Sequence, residues 1–383
     1  QKPPFSHISS LRSEQKQLIA ATARLGSSAI GLLPTGAGKS LTYQLPALAP
    51  LPWSPSGPPS LVVNPRAGCG TVVCVSPLIA LMGDQVAAVG RPDVVAIHSD
   101  LSAADRKKRL AQLAAGQLAL VYCAPESLGR GSALTRTLVS LSGYRRLRLI
   151  AIDEAHCVSE WGHDFRPAYK QLGAFVASLP VRPPLLALTA TASAEVLKDL
   201  RATLSLPEDT PVVRASADRP NLYYAVVDHS SAVCLEDRLV DLRREIAWAK
   251  EQAGVALVYA HRRADCDSLA AALRAESGLH VSSYHSGLPR ATKSKILTDF
   301  LGGKLDVVVA TVAFGMGVDK GNVRVVAHWS LPPSLSHYAQ EAGRAGRDGA
   351  PARAILYYVD GDRERRAYLA RLAGQADRER DGD

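Results

Sequence analysis

The 383-residue chain has no apolar run long enough to cross a bilayer, so a helical membrane span is excluded from its organisation. It has little cysteine: the six residues Cys69, Cys74, Cys123, Cys157, Cys234 and Cys266 are scattered, and four adjoin apolar strand-like runs. They read as buried free thiols of a reducing compartment. Cys69 and Cys74 lie close together, but no second pair follows at zinc-site spacing, so no structural zinc site is expected. Nothing repeats at the periods of solenoids. Acid is in deficit, with 36 Asp and Glu against 45 Lys and Arg, and the resulting charge of +9 favours a polyanionic partner. The chain opens on Gln1 rather than Met, so the want of a signal peptide carries no information on targeting.

What is present is apolar substance, 47% of the residues, in a chain longer than one hydrophobic core usually serves, and two domains are expected. Strand-like runs at 29–33, 72–75, 94–97, 118–122, 149–152 and 185–188 are separated by helical spacing, as in 15–25 and 103–115. Strands alternating with helices predict a parallel, doubly wound sheet. The scheme resumes at 255–259, 281–284, 307–310, 323–329 and 354–358. Between the two sets, residues 205–221 are rich in turn formers, which places a hinge over 209–222. Residues 50–70 shift to Pro, Ser and Gly and read as a surface insertion. The expected domains are thus 1–208 and 223–360, followed by a charged tail, 361–383, of solvated helical character.

The first run leads into Pro34-Thr35-Gly36-Ala37-Gly38-Lys39-Ser40 and then a helix-like segment. Strand, Gly-rich turn and helix make a phosphate cradle: glycines let backbone N–H groups approach phosphates, and the helix N-terminus adds its positive end. Lys39 is expected on the β- and γ-phosphates of ATP and Ser40 on Mg²⁺. The general pattern wants Gly where this chain has Leu33.

The second focus is 153–167, Asp-Glu-Ala-His-Cys-Val-Ser-Glu-Trp-Gly-His-Asp-Phe-Arg-Pro, directly after an apolar run. Carboxylates at the end of a buried strand stand where open α/β sheets bind ligands. Asp153 has the position of a Walker B carboxylate that holds Mg²⁺, and Glu154 that of the group orienting or deprotonating the attacking water. Trp161, Phe165 and Arg166 are side chains that stack on unpaired bases and grip phosphates. The plainer alternative makes Trp161 and Phe165 core aromatics and the acids a solvated strand end.

Residues 34–40 and 153–167, with Gln340-Glu341-Ala342-Gly343-Arg344-Ala345-Gly346-Arg347-Asp348-Gly349, together resemble the RecQ family of superfamily 2 DNA helicases. The resemblance covers nearly the whole chain outside 50–70 and the tail. It implies two tandem RecA-like α/β domains with the ATP site in the cleft between them, and ATP hydrolysis driving 3′ to 5′ movement on DNA in repair and recombination. It implies adenine reading by Gln15 with Arg12, and nucleotide binding by Thr35, Gly36, Gly38, Lys39, Ser40 and Asp319. Strand contacts are implied for Ser76, Pro77, Trp161, Phe165, Arg166 and Thr311, with a further strand-contacting motif at Ala124-Pro125-Glu126. Coupling of the γ-phosphate to domain closure is implied for Thr189-Ala190-Thr191. Lys39, Asp153, Glu154, Gln340, Arg344 and Arg347 are implied in catalysis, with Arg347 as the arginine finger and Arg344 as the second choice. The implied cofactors are ATP and Mg²⁺, the partners single-stranded and duplex DNA, and the location a nucleus, or the nucleoid of a bacterium, without secretion.

The chain departs from the family at several positions. Ile8 stands about where an aromatic precedes the adenine-reading Gln, Ala339 and Ala342 replace a Tyr and a Ser, and no cysteine follows Cys266 to build the four-cysteine zinc module common in relatives. An RNA-directed helicase, lacking the 161–167 loop pattern, and an ATP-responsive DNA-binding module without unwinding are the alternatives. Trp53, Trp248 and Trp329 are expected to pack, Arg106-Lys107-Lys108-Arg109 to be a solvated helix face, and His98, His285 and His328, beside strand ends, to need no special role.

Overall fold

The computed structural model of the chain describes residues 10–34, 36–48, 70–77, 79–159, 166–216, 218–230, 235–275, 278–314 and 320–364, with 367, 368 and 371. It divides into two compact units, Gln1–Ala217 and Asp218–Asp383. In the first, uninterrupted apolar runs form most of seven strands. They are β1 (Ala29–Leu32), β2 (Thr71–Val75), β3 (Val94–Ile97), β4 (Leu120–Cys123), β5 (Leu147–Ile152), β6 (Leu185–Thr189) and β7 (Val212–Arg214). Their order is β3-β4-β2-β5-β6-β1-β7, and every pairing is parallel. Alternate residues feed opposite layers: Ile30, Val73, Val75, Ile150 and Ile152 enter one core, while Ala29, Val72, Cys74, Leu149 and Leu188 enter the other. A sheet covered on both faces needs apolar side chains on both, which is why the strands read as continuous runs.

The second unit repeats the plan in six strands, β8 (Leu222–Asp228), β9 (Val255–Tyr259), β10 (Val281–Tyr284), β11 (Val307–Ala310), β12 (Val323–His328) and β13 (Ala352–Tyr358). The order is β10-β11-β9-β12-β13-β8, again all parallel, with one core under Val258, Val309 and Val325 and another under Leu257, Val308 and Val326. Both units are therefore the doubly wound α/β sheets expected. Because all strands of a sheet run the same way, each sheet gathers its strand-to-helix turns on one edge, the edge that open α/β folds use for ligands.

The expected 209–222 hinge is only partly a connection. Val212–Arg214 is the edge strand β7, with Pro211 tolerated just outside it and its carbonyl accepting from Ile30 N at 2.9 Å. Leu222 already opens β8, and the units part at Ala217 and Asp218. The strand expected at 118–122 begins at Leu120, where pairing with β2 and β3 starts. The helix expected over 15–25 is Ser13–Ile19, continued by a wider π turn, Ala20–Arg24. Residues 50–69 of the insertion and 372–383 of the tail lie outside the described residues.

Cys74, Cys123, Cys157 and Cys266 are buried, and burial pushes the thiols of Cys123 and Cys266 up to about 12. Cys69 and Cys234 lie outside the described residues. No described helix is long and apolar enough to cross a membrane.

Candidate functional site

β1 delivers Leu33 and Pro34 into the Gly-rich turn. Leu33 is 1% exposed and packs in the core, so the missing first glycine is filled by a residue that faces inward. Gly36 and Gly38 have φ of +82° and +74°, a region that side chains rarely enter. The turn closes by Ala37 N donating to Pro34 O at 3.0 Å, and Lys39 O and Ser40 O accept the first bonds of the helix Leu41–Leu48. Thr35 lies outside the described residues.

Gln15 sits against this turn. Its Nε2 donates to Ala37 O and Gly38 O, both at 3.1 Å, while its Oε1 accepts from Arg12 N at 2.9 Å. Both ends of the amide thus brace backbone. A Cβ on residue 38 would stand 2.5 Å from that Nε2, so only glycine admits the contact.

β5 leads into Asp153, whose N–H donates to Val75 O at 2.8 Å and whose carbonyl accepts from Tyr169 Oη at 3.0 Å. The side chain is buried. Burial first and then Glu154 push its carboxyl up to about 6, with Lys39 pulling the other way. Glu154 takes a left-handed backbone, φ +49°, which costs a non-glycine residue about 1–2 kcal/mol and marks a turn held by its surroundings. The holding contacts are visible. Lys39 Nζ is 3.5 Å from Glu154 Oε1, and His156 Nδ1 is 3.4 Å from Glu154 Oε2 and 2.9 Å from Thr189 Oγ1. Thr189 Oγ1 donates to Thr191 O at 3.0 Å, so it accepts from His156, which therefore carries its proton on Nδ1. Lys39, Glu154, His156, Thr189 and Thr191 thus stand in one polar row, with the His156 proton given to Thr189. The place of His156 in it was not legible from sequence, since Thr189 is 33 positions away.

Asp153 and Ser40 offer hard oxygen donors of the kind Mg²⁺ takes, and a carboxyl held up by burial beside a second acid gains from a cation. Among the described residues no group of three or more His, Cys, Asp or Glu could hold a metal alone.

At the neighbouring strand end, Ser76 is 2% exposed and its hydroxyl has no hydrogen-bond partner among the described residues. Pro77 O accepts from Arg166 Nη1 at 2.9 Å, and Arg166 N donates to Cys157 O at 3.0 Å. Arg166 thereby fastens the start of the helix Pro167–Ala177 to the turn after β2. Trp161 and Phe165 lie outside the described residues. Pro125 and Glu126 open a short 3-10 turn after β4. A residue missed in the sequence, Gln44, joins these parts: its Nε2 donates to Gln85 Oε1 at 2.7 Å and to Tyr122 Oη at 2.8 Å. In the basic cluster, Arg106 donates to His98 O at 2.9 Å and Arg109 to Ala96 O, with all but Arg109 exposed.

In the second unit Thr311 follows β11, its N–H donating to Tyr284 O at 3.1 Å. Asp319 lies outside the described residues. Ser334 caps the helix Leu335–Ala342, accepting from His337 N, and this helix carries Gln340. The chain then turns through Gly343 to Ala350. Gly346 has φ +57°, donates its N–H to Val323 O at 2.8 Å and accepts from Arg219 Nη2 at 2.7 Å and Asn221 Nδ2 at 2.8 Å. Asp348 forms a two-pronged pair with Arg324, at 3.0 and 2.6 Å, which holds its carboxyl below the usual range. The turn bearing Arg344 and Arg347 is thus pinned on both flanks. Arg344 itself is 6% exposed.

The DEAD/DEAH box helicase family model matches residues 12–200, and the helicase conserved C-terminal domain matches 237–349. The ATP-dependent DNA helicase hus2/rqh1 of Schizosaccharomyces pombe is 39% identical over 92% of this chain, which covers 25% of that relative. The ATP-dependent DNA helicase RecQ of Haemophilus influenzae is 37% identical over 92% of this chain and 52% of its own length. The chain thus spans between a quarter and about half of these relatives. Among solved structures, the DUF1998 helicase MrfA bound to DNA superposes with a TM-score of 0.71 at 20% identity, over 97% of this chain and 52% of that one, a likeness of fold.

Proposed function

Since the chain belongs to the RecQ family within the DEAD/DEAH box helicases, we propose that it is an ATP-hydrolysing DNA helicase core that moves 3′ to 5′ and unwinds duplex or structured DNA in repair and recombination. The observation that carries the reading is the Lys39–Glu154 contact of 3.5 Å at the carboxyl edge of the first sheet. Lysine and glutamate occupy each other there. A triphosphate, with Arg12, Gln15, Thr35, Gly36, Gly38 and Asp319 as further nucleotide contacts, would draw Lys39 onto its β- and γ-oxygens. Glu154 Oε1 is then released to orient and deprotonate water. Ser40 and Asp153 would hold Mg²⁺, which supplies neutralisation of phosphate charge when bound. Arg347, with Arg344 beside it and Gln340 on the preceding helix, is the proposed source of positive charge for the transferring phosphoryl group, an effect worth about 10³–10⁵ in rate.

Ser76, Pro77, Trp161, Phe165, Arg166 and Thr311 are the proposed contacts to single-stranded and duplex DNA. Arg166 supports this reading, because its guanidinium donates to Pro77 O at 2.9 Å and would let one contact report to the other. A DNA substrate places the protein in the nucleus of a eukaryote or with the nucleoid of a bacterium.

The test is steady-state ATP hydrolysis without nucleic acid, with single-stranded DNA and with single-stranded RNA of matched length. Stimulation by DNA, lost by about 10²–10³-fold in Lys39→Ala, is the expected result. Equal stimulation by RNA would replace DNA by RNA in the reading. No stimulation by either, with ATP still bound, would leave an ATP-responsive binding module.

A further inference from the structure

Beside the arginine turn of the second unit lies a buried polar group that the nucleotide chemistry above does not use. His328, the last residue of β12, is 1% exposed and pairs in register with Tyr259, the last of β9. The two rings stack, with centroids 5.6 Å apart and planes 25° from parallel, and Tyr338 covers His328 at 4.9 Å. His328 Nε2 lies 2.8 Å from Glu341 Oε2, and Glu341 is 6% exposed. A carboxylate only accepts, so His328 carries its proton on Nε2. Its Nδ1 has no hydrogen-bond partner among the described residues.

Glu341 is three residues before Arg344, and Arg344 N donates to Glu341 O at 3.1 Å. Carboxylate and guanidinium three positions apart at a helix end are within reach of each other. Nevertheless the structure gives Glu341 to His328, and the Nε of Arg344 has no hydrogen-bond partner among the described residues. Tyr259 stands on the other side, its hydroxyl donating to Phe314 O at 2.9 Å and accepting from the Arg344 guanidinium, whose charge it also feels. A buried carboxylate left without its partner is costly and takes the nearest cation. In this unit the nearest candidate on its own helix end is Arg344.

We infer that His328 is a positioning residue for the arginine motif: by occupying Glu341 and stacking on Tyr259 it keeps the Arg344 guanidinium from collapsing onto Glu341. The inference rests on the ATPase reading above and adds to it a residue outside the helicase motifs quoted for the chain. Its chemistry is that of a decoy donor. His328 satisfies an acid so that the arginine three residues on stays with Tyr259 instead of closing onto Glu341.

The experiment is DNA-stimulated hydrolysis by the whole chain and its His328→Leu, His328→Gln, Glu341→Met and His328→Leu/Glu341→Met variants, with kcat and KM for ATP separated. His328→Leu should lower kcat by about 10–10²-fold, the scale of a misplaced catalytic group, with KM little changed. His328→Gln, whose amide can still donate to Glu341, should keep most of the activity. The double variant should recover activity relative to His328→Leu, because removing both partners leaves no acid to capture Arg344. Unchanged kcat in His328→Leu, or losses that simply add in the double variant, would overturn the inference. Should His328→Leu fail to fold by near-ultraviolet dichroism, His328→Gln and Glu341→Met decide: neither leaves an unpartnered acid beside Arg344, so both should keep most of the activity, and a loss of kcat of about 10-fold or more in either overturns the inference. A wild-type chain without DNA-stimulated hydrolysis would overturn the ATPase reading itself, a result separable from either of these.

Discussion

Asp153 binds its proton more tightly in the folded chain than in the unfolded one, because burial and Glu154 push it up to about 6 against the pull of Lys39. Below about pH 4 the group is protonated in both states, and stability is lost as pH climbs from there through about 6, at roughly 1.4 kcal/mol per unit of displacement. Without nucleotide or metal, Asp153→Asn is therefore expected to raise the melting temperature at about pH 8 and to leave it unchanged near pH 4. An equal effect at both would show that burial does not set the proton affinity. The candidate residues Gly36, Gly38, Lys39, Asp153, Glu154, Arg344 and Arg347 stood out because they form a pattern along the chain. Gln44, His156 and His328 were not. Their partners stand 41 and 78, 33, and 13 positions away, and a buried polar pair announces neither of its members locally.

The elements with clear signatures are strands covered on both faces, where every residue must be apolar: β9 and β11 begin and end where their runs do. β7 and β8 escaped because they lie at sheet edges, one only three residues long beside Pro211 and the other with Tyr223, Tyr224 and Val226 exposed. A turn can be tested as an element in the same spirit. At Gly346, φ is +57° and a Cβ would stand 2.5 Å from Asn221 Nδ2 and 2.8 Å from Ala350 O. At Gly349, φ is +84° and nothing lies within 4 Å. Gly349→Ala should thus cost about 1–2 kcal/mol of backbone strain alone. Gly346→Ala should cost more, about 3–5 kcal/mol in urea unfolding, and should abolish hydrolysis by moving its neighbours Arg344 and Arg347. Similar costs for both would mean that the packing around Asn221 yields freely.

At the scale of the whole molecule, two α/β units each close their own sheet between two apolar layers. That plan was readable from the alternation of runs, while the site of parting was obscured because the connecting stretch also contributes β7. The buried thiols turn this plan into a clock. An alkylating reagent attacks thiolate, and Cys74, Cys123 and Cys157 in one unit and Cys266 in the other are all buried, with Cys123 and Cys266 pushed up to about 12. Each sulfur therefore reacts only when its own sheet opens. Peptide-resolved labelling in mild denaturant should give one shared rate for Cys74, Cys123 and Cys157 and a different one for Cys266, and a common rate at every denaturant concentration would mean that the two sheets open as one. Placed in strands and helices by folding alone, these sulfurs would time, without any dye or tag, how often each half of the molecule lets go.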